Sequence, residues 1–198
     1  MEVKFSVYDF KDIMKICGSV TATTEKDKPR CQYIDLYFDP ADHSCTACGC
    51  NGYQLSTVKV RCEYRDIPFD YHLLIPPMKV VPRTKTVKIN IDEDGYSVAF
   101  IDEDEDILKA VSSPFTDVEP MDYKALISSM RTHIEKYNHG EGAYCICVNP
   151  RYLITALESL KSCDSVYLNF SDRVHAFTVR PGDDSVAAEA FILPVRHA

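Results

Sequence analysis

The sequence has few glycines, no long hydrophobic run and fewer basic than acidic residues. Seven glycines in 198 residues exclude a collagen-like chain, while 45% hydrophobic residues are enough to form a globular core. No stretch approaches the roughly 18 consecutive apolar residues that a membrane-spanning helix needs. The first residues also lack the basic start and apolar run of a secretory signal. We therefore expect a cytoplasmic protein with no membrane association.

The formal net charge of −8 excludes a protein that coats nucleic acid over its whole surface. Binding of that kind depends on clustered lysines and arginines that displace counterions from phosphates. A local basic face on one side of the molecule is still compatible with this charge.

Nine cysteines are an odd number, and several of them lie in strand-like apolar runs. Both features indicate reduced, mostly buried thiols rather than a disulfide framework. His43, Cys45, Cys48 and Cys50 form the one cluster that contains the soft ligands zinc prefers. A structural zinc site usually needs a second, separated pair of ligands, so packed thiols are the alternative. The sequence leaves this choice open, and we assign no metal ligand.

The common catalytic signatures are absent from the sequence. It contains no glycine-rich phosphate loop, no Gly-x-Ser-x-Gly elbow and no His-Glu-x-x-His helix. The acidic runs at 92–94 and 102–106 lack the ligand order of a calcium loop, which favours solvated turns. We therefore predict a non-catalytic protein without a cofactor.

Hydrophobic patterns divide the first part of the chain into a strand, a helix and a strand meander. Alternation from Val3 to Val7 predicts a strand over residues 2–8, and Asp9 is placed to cap a helix over residues 9–20. The strands of the meander are predicted at 33–38, 43–50, 53–64 and 69–75.

The middle part reads as a hairpin followed by a helix. Alternation predicts strands at 87–91 and 96–100 around an acidic turn, and a third strand at 107–111. Helical spacing of apolar residues from Tyr123 to Tyr137 predicts a helix with one buried face.

The last part repeats the order of the first. Alternation predicts a strand over 144–148, and Asn149 caps a helix over 149–162 with Pro150 in its first position. Its apolar stripe is predicted to contain Tyr152, Leu153, Ala156, Leu157 and Leu160. Three further strands are predicted at 166–170, 175–179 and 187–193.

Two units of the same order, residues 1–76 and 142–198, thus flank an insertion over 77–141. Such an internal duplication predicts one α+β domain in which two helices pack on one face of an antiparallel sheet. An alternative division has one complete domain over 1–120 and a half domain over 121–198.

The end of the chain resembles a known family. The segments Asn149–Leu157, Val166–Asp172 and Leu193–Arg196 are similar to the last half-domain of the bacterial sliding clamp, the DNA polymerase III beta subunit. Cys48–Leu55 and Leu73–Pro76 resemble the family's Ala-Thr-Asp-Gly-x-Arg-Leu turn and its following Ile-Pro. This chain would be a shortened, divergent member with a DNA-clamp-like fold.

The resemblance implies a non-catalytic platform for DNA replication or repair. Clamp subunits assemble into rings whose helices face duplex DNA without reading its sequence, and a surface pocket captures linear motifs of polymerases and clamp loaders. After Pro77 the family's second helix is missing, because residues 78–86 are few and include Pro82. The helix over 149–162 is therefore expected to pack beside the helix over 9–20. A homo-oligomer is implied, and an interaction module that has lost DNA encirclement is the alternative.

The resemblance also implies the site residues. Asn51 and Gln54 differ from the family, which has an acidic and a basic residue there. The implied partner-peptide pocket consists of Gly52, Tyr53, Gln54 and Leu55 on one wall, Leu193, Pro194, Val195 and Arg196 on the other, and Val174 between them. The implied DNA-facing residues, for which ordinary surface positions are the alternative, are Lys11, Lys15, Arg151 and Lys161.

Overall fold

A computed structural model describes residues 1–21, 28–68, 70–137, 146–172, 174–182 and 187–195; the side chains of residues 133–137 are outside this description. The described residues form three α-helices and twelve strands. The helices are α1 Val7–Ile16, α2 Tyr123–Tyr137 and α3 Pro150–Ser159. The strands are β1 Glu2–Ser6, β2 Ile34–Asp39, β3 Ser44–Cys50, β4 Gln54–Arg61, β5 Glu63–Arg65, β6 Tyr71–Ile75, β7 Thr86–Ile91, β8 Gly95–Ile101, β9 Ile107–Pro114, β10 Val166–Asn169, β11 Phe177–Pro181 and β12 Ala188–Ile192.

These strands pair antiparallel in two sheets. The seven-stranded sheet has the order β10-β11-β12-β4-β3-β2-β6, and the five-stranded sheet has the order β5-β1-β7-β8-β9. The pairing of β12 with β4 joins the meanders from the two ends of the chain, with Phe191 opposite Leu55. The predicted common sheet is therefore confirmed.

Two helices cover one face of the seven-stranded sheet, which we call the inner face. Helix α1 contacts β4, α3 contacts the neighbouring β12, and the two helices contact each other. Phe10 and Ile13 of α1 and Ala156 of α3 share one buried cluster with residues of both sheets. The predicted packing of two helices on one face is confirmed.

The entry into α1 differs from the prediction. The strand ends at Ser6, and Val7 is already the first helical residue. Ser6, rather than Asp9, caps the helix: its Oγ accepts a hydrogen bond from the Asp9 backbone N–H at 3.1 Å and donates one to Asp9 Oδ2 at 2.6 Å. The bond from the Asp9 N–H to Ser6 Oγ satisfies one of the backbone donors that have no partner within the first turn of a helix. Because the helix already begins at Val7, Asp9 lies inside that turn and is not the capping residue.

The inserted hairpin is an integral part of the fold, because β1 lies between β7 of the insertion and the short β5 of its own unit. The aromatic side chains that fill the space beside β1 come from three elements. The ring of Phe10 lies 5.9 Å from that of Phe5 and 6.1 Å from that of Phe100. The insertion thus completes a second sheet that closes over the same core.

The chain passes from one sheet to the other near Cys62. The strand predicted over 53–64 is split there into β4 and β5, and β5 pairs with β1 in the five-stranded sheet. At the break, the Cys62 N–H donates to the His43 carbonyl oxygen at 3.1 Å. Alternation alone cannot reveal this change of partner, because it continues through the break.

The predicted strand over 144–148 is not found in its described part. Residues 146–149 are irregular, and 144–145 lie outside the described residues. Cys147 is exposed, although the cysteines were expected to be mostly buried. Leu157, predicted on the buried stripe of α3, is also exposed, whereas Ala156 and Leu160 are buried.

Helix α2 lies on the opposite face of the seven-stranded sheet, which we call the outer face. Tyr123 is in a small buried cluster with Leu55 and Phe191, whose side chains point away from α1 and α3 because residues alternate along a strand. Within the described part of α2, the predicted buried face is narrow: Tyr123 is buried, but Leu126 is exposed. None of the described helices combines the length and hydrophobicity needed to cross a membrane.

Candidate partner-docking site

The first wall of the expected pocket is a tight turn between β3 and β4. Asn51 Oδ1 accepts hydrogen bonds from the backbone N–H groups of Tyr53 at 2.9 Å and Gln54 at 2.8 Å. Gly52 has a φ of 86°, in the left-handed region that other residues rarely adopt. The side-chain amide of Asn51 therefore supplies the turn-forming acceptor that an aspartate would supply.

The second wall follows β12 and lies directly beside the first. The Leu193 N–H donates to the Tyr53 carbonyl oxygen at 3.2 Å, which extends the β4–β12 ladder by one hydrogen bond. The Val195 N–H donates to the Cys147 carbonyl oxygen at 2.7 Å. Leu193 and Val195 are exposed and Pro194 is half-buried, whereas Arg196 lies outside the described residues. Two segments far apart in sequence are thus brought together.

Tyr53 is an exposed aromatic residue held in a fixed position. Its ring stacks on Tyr152 of α3, with centroids 5.5 Å apart and an interplanar angle of 12°. The Lys28 Nζ atom lies 4.5 Å from the centroid of the same ring, a favourable cation–π distance. The turn is therefore coupled to α3 as well as to β12.

The remaining wall residues differ in accessibility. Gln54 is buried, and neither polar atom of its side-chain amide has a hydrogen-bond partner among the described residues. Leu55 is 2% exposed and lies under α2 on the outer face. Val174 is exposed on the turn between β10 and β11. Its N–H donates to Asp172 Oδ1 at 2.9 Å.

Asp172 organises that turn. Burial raises the pKa of this carboxyl, but the N–H groups of Val174 and His175 and the His175 side chain outweigh burial and hold the pKa below its usual value. His175 Nδ1 lies 2.6 Å from Asp172 Oδ2. The carboxylate therefore stays charged and fixes the position of Val174.

An apolar pocket of about 400 Å³ lies between α3 and the hairpin of β10 and β11. The rings of Phe170 and Phe177 stack there with centroids 4.7 Å apart. Sequence analysis missed this pocket, because the alternation of residues 166–170 indicates a buried strand and does not reveal which part stays uncovered. The pocket is lined by Ile146, Val148, Leu153, Leu168, Phe170 and Phe177.

The residues expected to face DNA lie on the paired helices α1 and α3 or just after them. Lys11, Arg151 and Lys161 are exposed, and Lys15 is half-buried. Acidic groups accompany them: Asp9 and Asp12 on α1 and Glu158 on α3. Burial raises the pKa of Asp12. The described helix pair therefore presents mixed charge rather than a strongly basic face.

The cysteines of β3 are divided between the two faces of the sheet. Cys45 points into the inner core and Cys48 to the outer face, and both are buried with pKa values well above that of a free thiol because of desolvation. Burial likewise raises the pKa of Cys50 to about 11. Among the described residues, no group of three His, Cys, Asp or Glu side chains could hold a metal ion.

The two acidic runs form hydrogen-bonded turns. Asp92 Oδ1 accepts from the Gly95 N–H at 2.8 Å, and Asp102 Oδ1 accepts from the N–H groups of Asp104 and Asp106 at 3.0 Å each. The first carboxylate in each run thus accepts hydrogen bonds from nearby backbone N–H groups, as is typical of a solvated turn.

Comparison with solved structures relates this architecture to known proteins. The beta chain of DNA polymerase III from Streptococcus pneumoniae matches all of this chain with a TM-score of 0.76 at 16% sequence identity. The fold is that of the bacterial sliding clamps. The beta subunit from Pseudomonas aeruginosa gives a TM-score of 0.76 at 10% identity, and the sliding clamp from Bacillus subtilis gives 0.69 at 15%, each over 100% of this chain.

The likeness to sliding clamps is one of structure. No family model and no curated protein matches the sequence. The chain spans 65% of the Streptococcus pneumoniae and Bacillus subtilis clamps and 66% of the one from Pseudomonas aeruginosa. One Pseudomonas aeruginosa sliding clamp with this fold is bound to griselimycin, with a TM-score of 0.67 at 12% identity over 98% of this chain and 65% of that clamp.

Proposed function

We propose that this protein is a non-catalytic, clamp-like platform that docks short peptide segments of DNA replication or repair proteins in the cytoplasm. The docking site consists of the turn at 52–55 and the segment at 193–196, with Val174 beside them. The hydrogen bond between Leu193 and Tyr53 carries this proposal, because it sets the two clamp-like segments side by side.

The chemistry of the exposed wall residues suits such a partner. Leu193, Val195 and Val174 present aliphatic side chains, and Tyr53 adds a fixed aromatic surface. Residues of this kind anchor apolar peptide side chains, and a few anchors contribute most of the affinity. The linear motifs of polymerases and clamp loaders are the partners that the clamp resemblance implies.

A binding titration of Leu193→Ala tests the proposal. Leu193 is 40% exposed, so its truncation should leave the fold intact. We expect about tenfold weaker binding of a labelled clamp-binding peptide, or of griselimycin, a ligand of one matched clamp. Ile107→Ala on β9, also an exposed aliphatic position, is the matched control and should leave affinity unchanged. Equal affinity of Leu193→Ala and the unmodified protein would contradict the site.

DNA encirclement through self-association is the second candidate. The side-by-side packing of α1 and α3, with Lys11 and Arg151 exposed on them, supports it. Binding would be independent of sequence and sensitive to salt, because phosphate contacts release counterions. A closed ring stays on circular DNA and slides off linear DNA. A strict monomer in native mass spectrometry with no retention on circles would remove this candidate.

We also propose that the chain is one clamp-type domain of halves 1–76 and 142–198 with the insertion 77–141. The β12–β4 pairing and a core that extends from Val3 to Ile192 support this division over one at residue 120. A single cooperative unfolding transition is expected. Two separate transitions, one lost on removal of 121–198, would favour the alternative.

A further inference from the structure

Helix α2 rests on the strip of the outer face that leads into the second wall of the docking site. Leu55 and Phe191 are opposite each other on β4 and β12. Both are buried with Tyr123 of α2, while Ile127 packs at the edge of their cluster. Leu193 follows Phe191 by two residues, just past the end of β12, and is exposed. The apolar strip is therefore half covered and half open.

The contacts that hold α2 are few. From residue 123 to residue 132, Tyr123 is the only buried side chain, and its hydroxyl has no hydrogen-bond partner among the described residues. A groove of about 780 Å³ remains beside the helix, between it and the sheet. Two ion pairs fasten the helix, the exposed pair of Lys124 with Asp70 at 3.8 Å and that of Arg131 with the half-buried Glu189 at 2.7 Å. The Lys124 Nζ atom also lies 3.4 Å from the centroid of the Tyr37 ring.

These contacts differ from those of a core helix. Exposed ion pairs contribute little and are screened by salt. A buried hydroxyl without a partner opposes docking, because it has lost its hydrogen bond to water. Among its described side chains, α2 is thus attached by one buried aromatic residue, a half-buried apolar edge, two ion pairs and a cation–π contact.

We propose that α2 is an autoinhibitory helix, which occupies Leu55 and Phe191 and has to leave before a peptide partner can bind across the whole strip to Leu193. This inference rests on the proposed docking function. The partner it selects is a segment with large apolar side chains and flanking basic residues, because those are the groups with which α2 meets the cluster, Asp70 and Glu189.

Helix α2 can compete with a partner peptide because it is covalently part of the same chain. A segment of the same chain acts at an effective concentration of about millimolar, so weak contacts suffice to keep free peptides out. Loosening those contacts should increase both the exposure of the strip and the affinity for a partner.

The reactivity of two cysteine thiols on β3 can be used to detect the release of α2 from the sheet. Cys48 is 4% exposed and lies in the cluster under α2, whereas Cys45 is buried in the inner core. Release of α2 exposes Cys48 alone, and global unfolding exposes both. The labelling rate of each thiol by N-ethylmaleimide, mapped by tandem mass spectrometry, therefore separates the two events.

The decisive variant is Ile127→Asp, which places a charge at the half-buried edge of the cluster. We expect Cys48 to be labelled at least tenfold faster, with the Cys45 rate unchanged. Leu126→Asp makes the same chemical change at an exposed neighbouring position and should alter the Cys48 rate less than twofold. An unchanged Cys48 rate in Ile127→Asp would overturn the proposal, and so would a parallel rise at Cys45.

A second variant loosens α2 without placing a charge in the apolar cluster, so it is less prone to misfold. Arg131→Glu replaces the ion pair with Glu189 by a like-charge contact and buries nothing. We expect a threefold to fivefold increase of the Cys48 rate, smaller at high salt because the repulsion is screened. No increase at low salt would count against α2 being held by this contact.

Competition in trans tests the partner. A labelled peptide of residues 119–137 should bind Ile127→Asp at least tenfold more tightly than the unmodified chain, since the strip is open in the variant. Equal affinities would overturn autoinhibition. If this peptide responds as expected while Leu193→Ala still binds a clamp-binding peptide normally, the helix is displaceable but the proposed docking function is wrong.

Discussion

The two faces of the seven-stranded sheet are built from the same strands but carry different kinds of contact. On the inner face, Phe10, Ile13 and Ala156 belong to one cluster that includes residues of both sheets and of α1 and α3. On the outer face, six buried residues form a separate cluster that α2 only partly covers. We therefore expect the inner face to contribute most of the stability, and the outer face less.

The outer face also contains hydrogen-bonded polar side chains. Asp35 is buried there, and the His72 Nδ1 atom lies 2.9 and 3.1 Å from its two carboxylate oxygens. Tyr37 donates a hydrogen bond of 2.5 Å to Asp70. Polar contacts are directional, so these side chains fix the geometry of the outer face more narrowly than apolar packing alone would.

Of the substitutions that test the two faces, the one at Phe10 is expected to change stability most. Its ring is fully buried between Phe5 and Phe100, so Phe10→Ala removes contacts with both sheets and leaves a cavity. We expect a loss of about 3–5 kcal/mol in the free energy of unfolding, measured by urea titration. Tyr8→Ala, at a position 76% exposed on the same helix, should change it by less than about 0.5 kcal/mol. A loss under about 1 kcal/mol at Phe10 would refute the assignment of stability to the inner face.

A second, smaller effect concerns the close approach of α1 to β3. A Cβ atom added at Gly49 would lie 2.1 Å from the Cys17 carbonyl oxygen, a backbone atom that cannot move alone. Gly49→Ala should therefore destabilise the protein by about 1–3 kcal/mol. Gly18→Ala is the control, because its nearest neighbour would be 3.5 Å away. Similar urea midpoints for the two variants would show that α1 and β3 are less tightly packed than described.

The buried thiols make the stability of the folded protein depend on alkaline pH. Burial raises the pKa of Cys62 to about 12 in the folded protein, whereas an unfolded thiol ionises near pH 8.5. Between these values the unfolded chain binds fewer protons, so stability falls as pH rises. We expect a loss of up to about 1 kcal/mol per pH unit from this group, measured by urea titrations at pH 8 to 10.5. Cys62→Ala should show a shallower decline; an identical slope would exclude Cys62 as a source.

The smallest effect is expected on the outer face at Tyr123. Its buried hydroxyl has no hydrogen-bond partner among the described residues, so Tyr123→Phe removes an uncompensated polar group. The free energy of unfolding should stay the same or rise by up to about 1 kcal/mol. Tyr37→Phe, which removes the hydrogen bond to Asp70, should lower it by about 0.5–1.5 kcal/mol and serves as the contrast. A clear loss at Tyr123 would indicate a hydrogen bond that strengthens α2 docking.

Local patterns predicted much of the secondary structure. Asn149 caps α3 as expected, with its Oδ1 accepting from the Arg151 N–H at 3.0 Å. The hairpin of β7 and β8 also follows its alternation. In both cases the signal and the structure lie within a few residues of each other, so neighbouring side chains suffice to specify the result.

The docking site was accessible to sequence analysis only in part. The resemblance implied the segments at 52–55 and 193–196, of which the structure brings Tyr53 and Leu193 together. It did not indicate that α2 buries Leu55, or that the pocket lined by Phe170 and Phe177 is open. Helical spacing shows that α2 has an apolar side but not which surface receives it.

The amino-acid sequence by itself determined where most of the strands and helices form, because hydrophobic period and capping chemistry act over a few residues. Only the tertiary structure decided that β1 pairs with β7, that Cys62 marks a change of sheet and that α2 covers the outer face. The physical reason is that strand pairing and burial depend on which distant segments meet. The alternating pattern of a strand is compatible with several neighbouring strands. The packing of both sheets against α1 and α3 selects one of them.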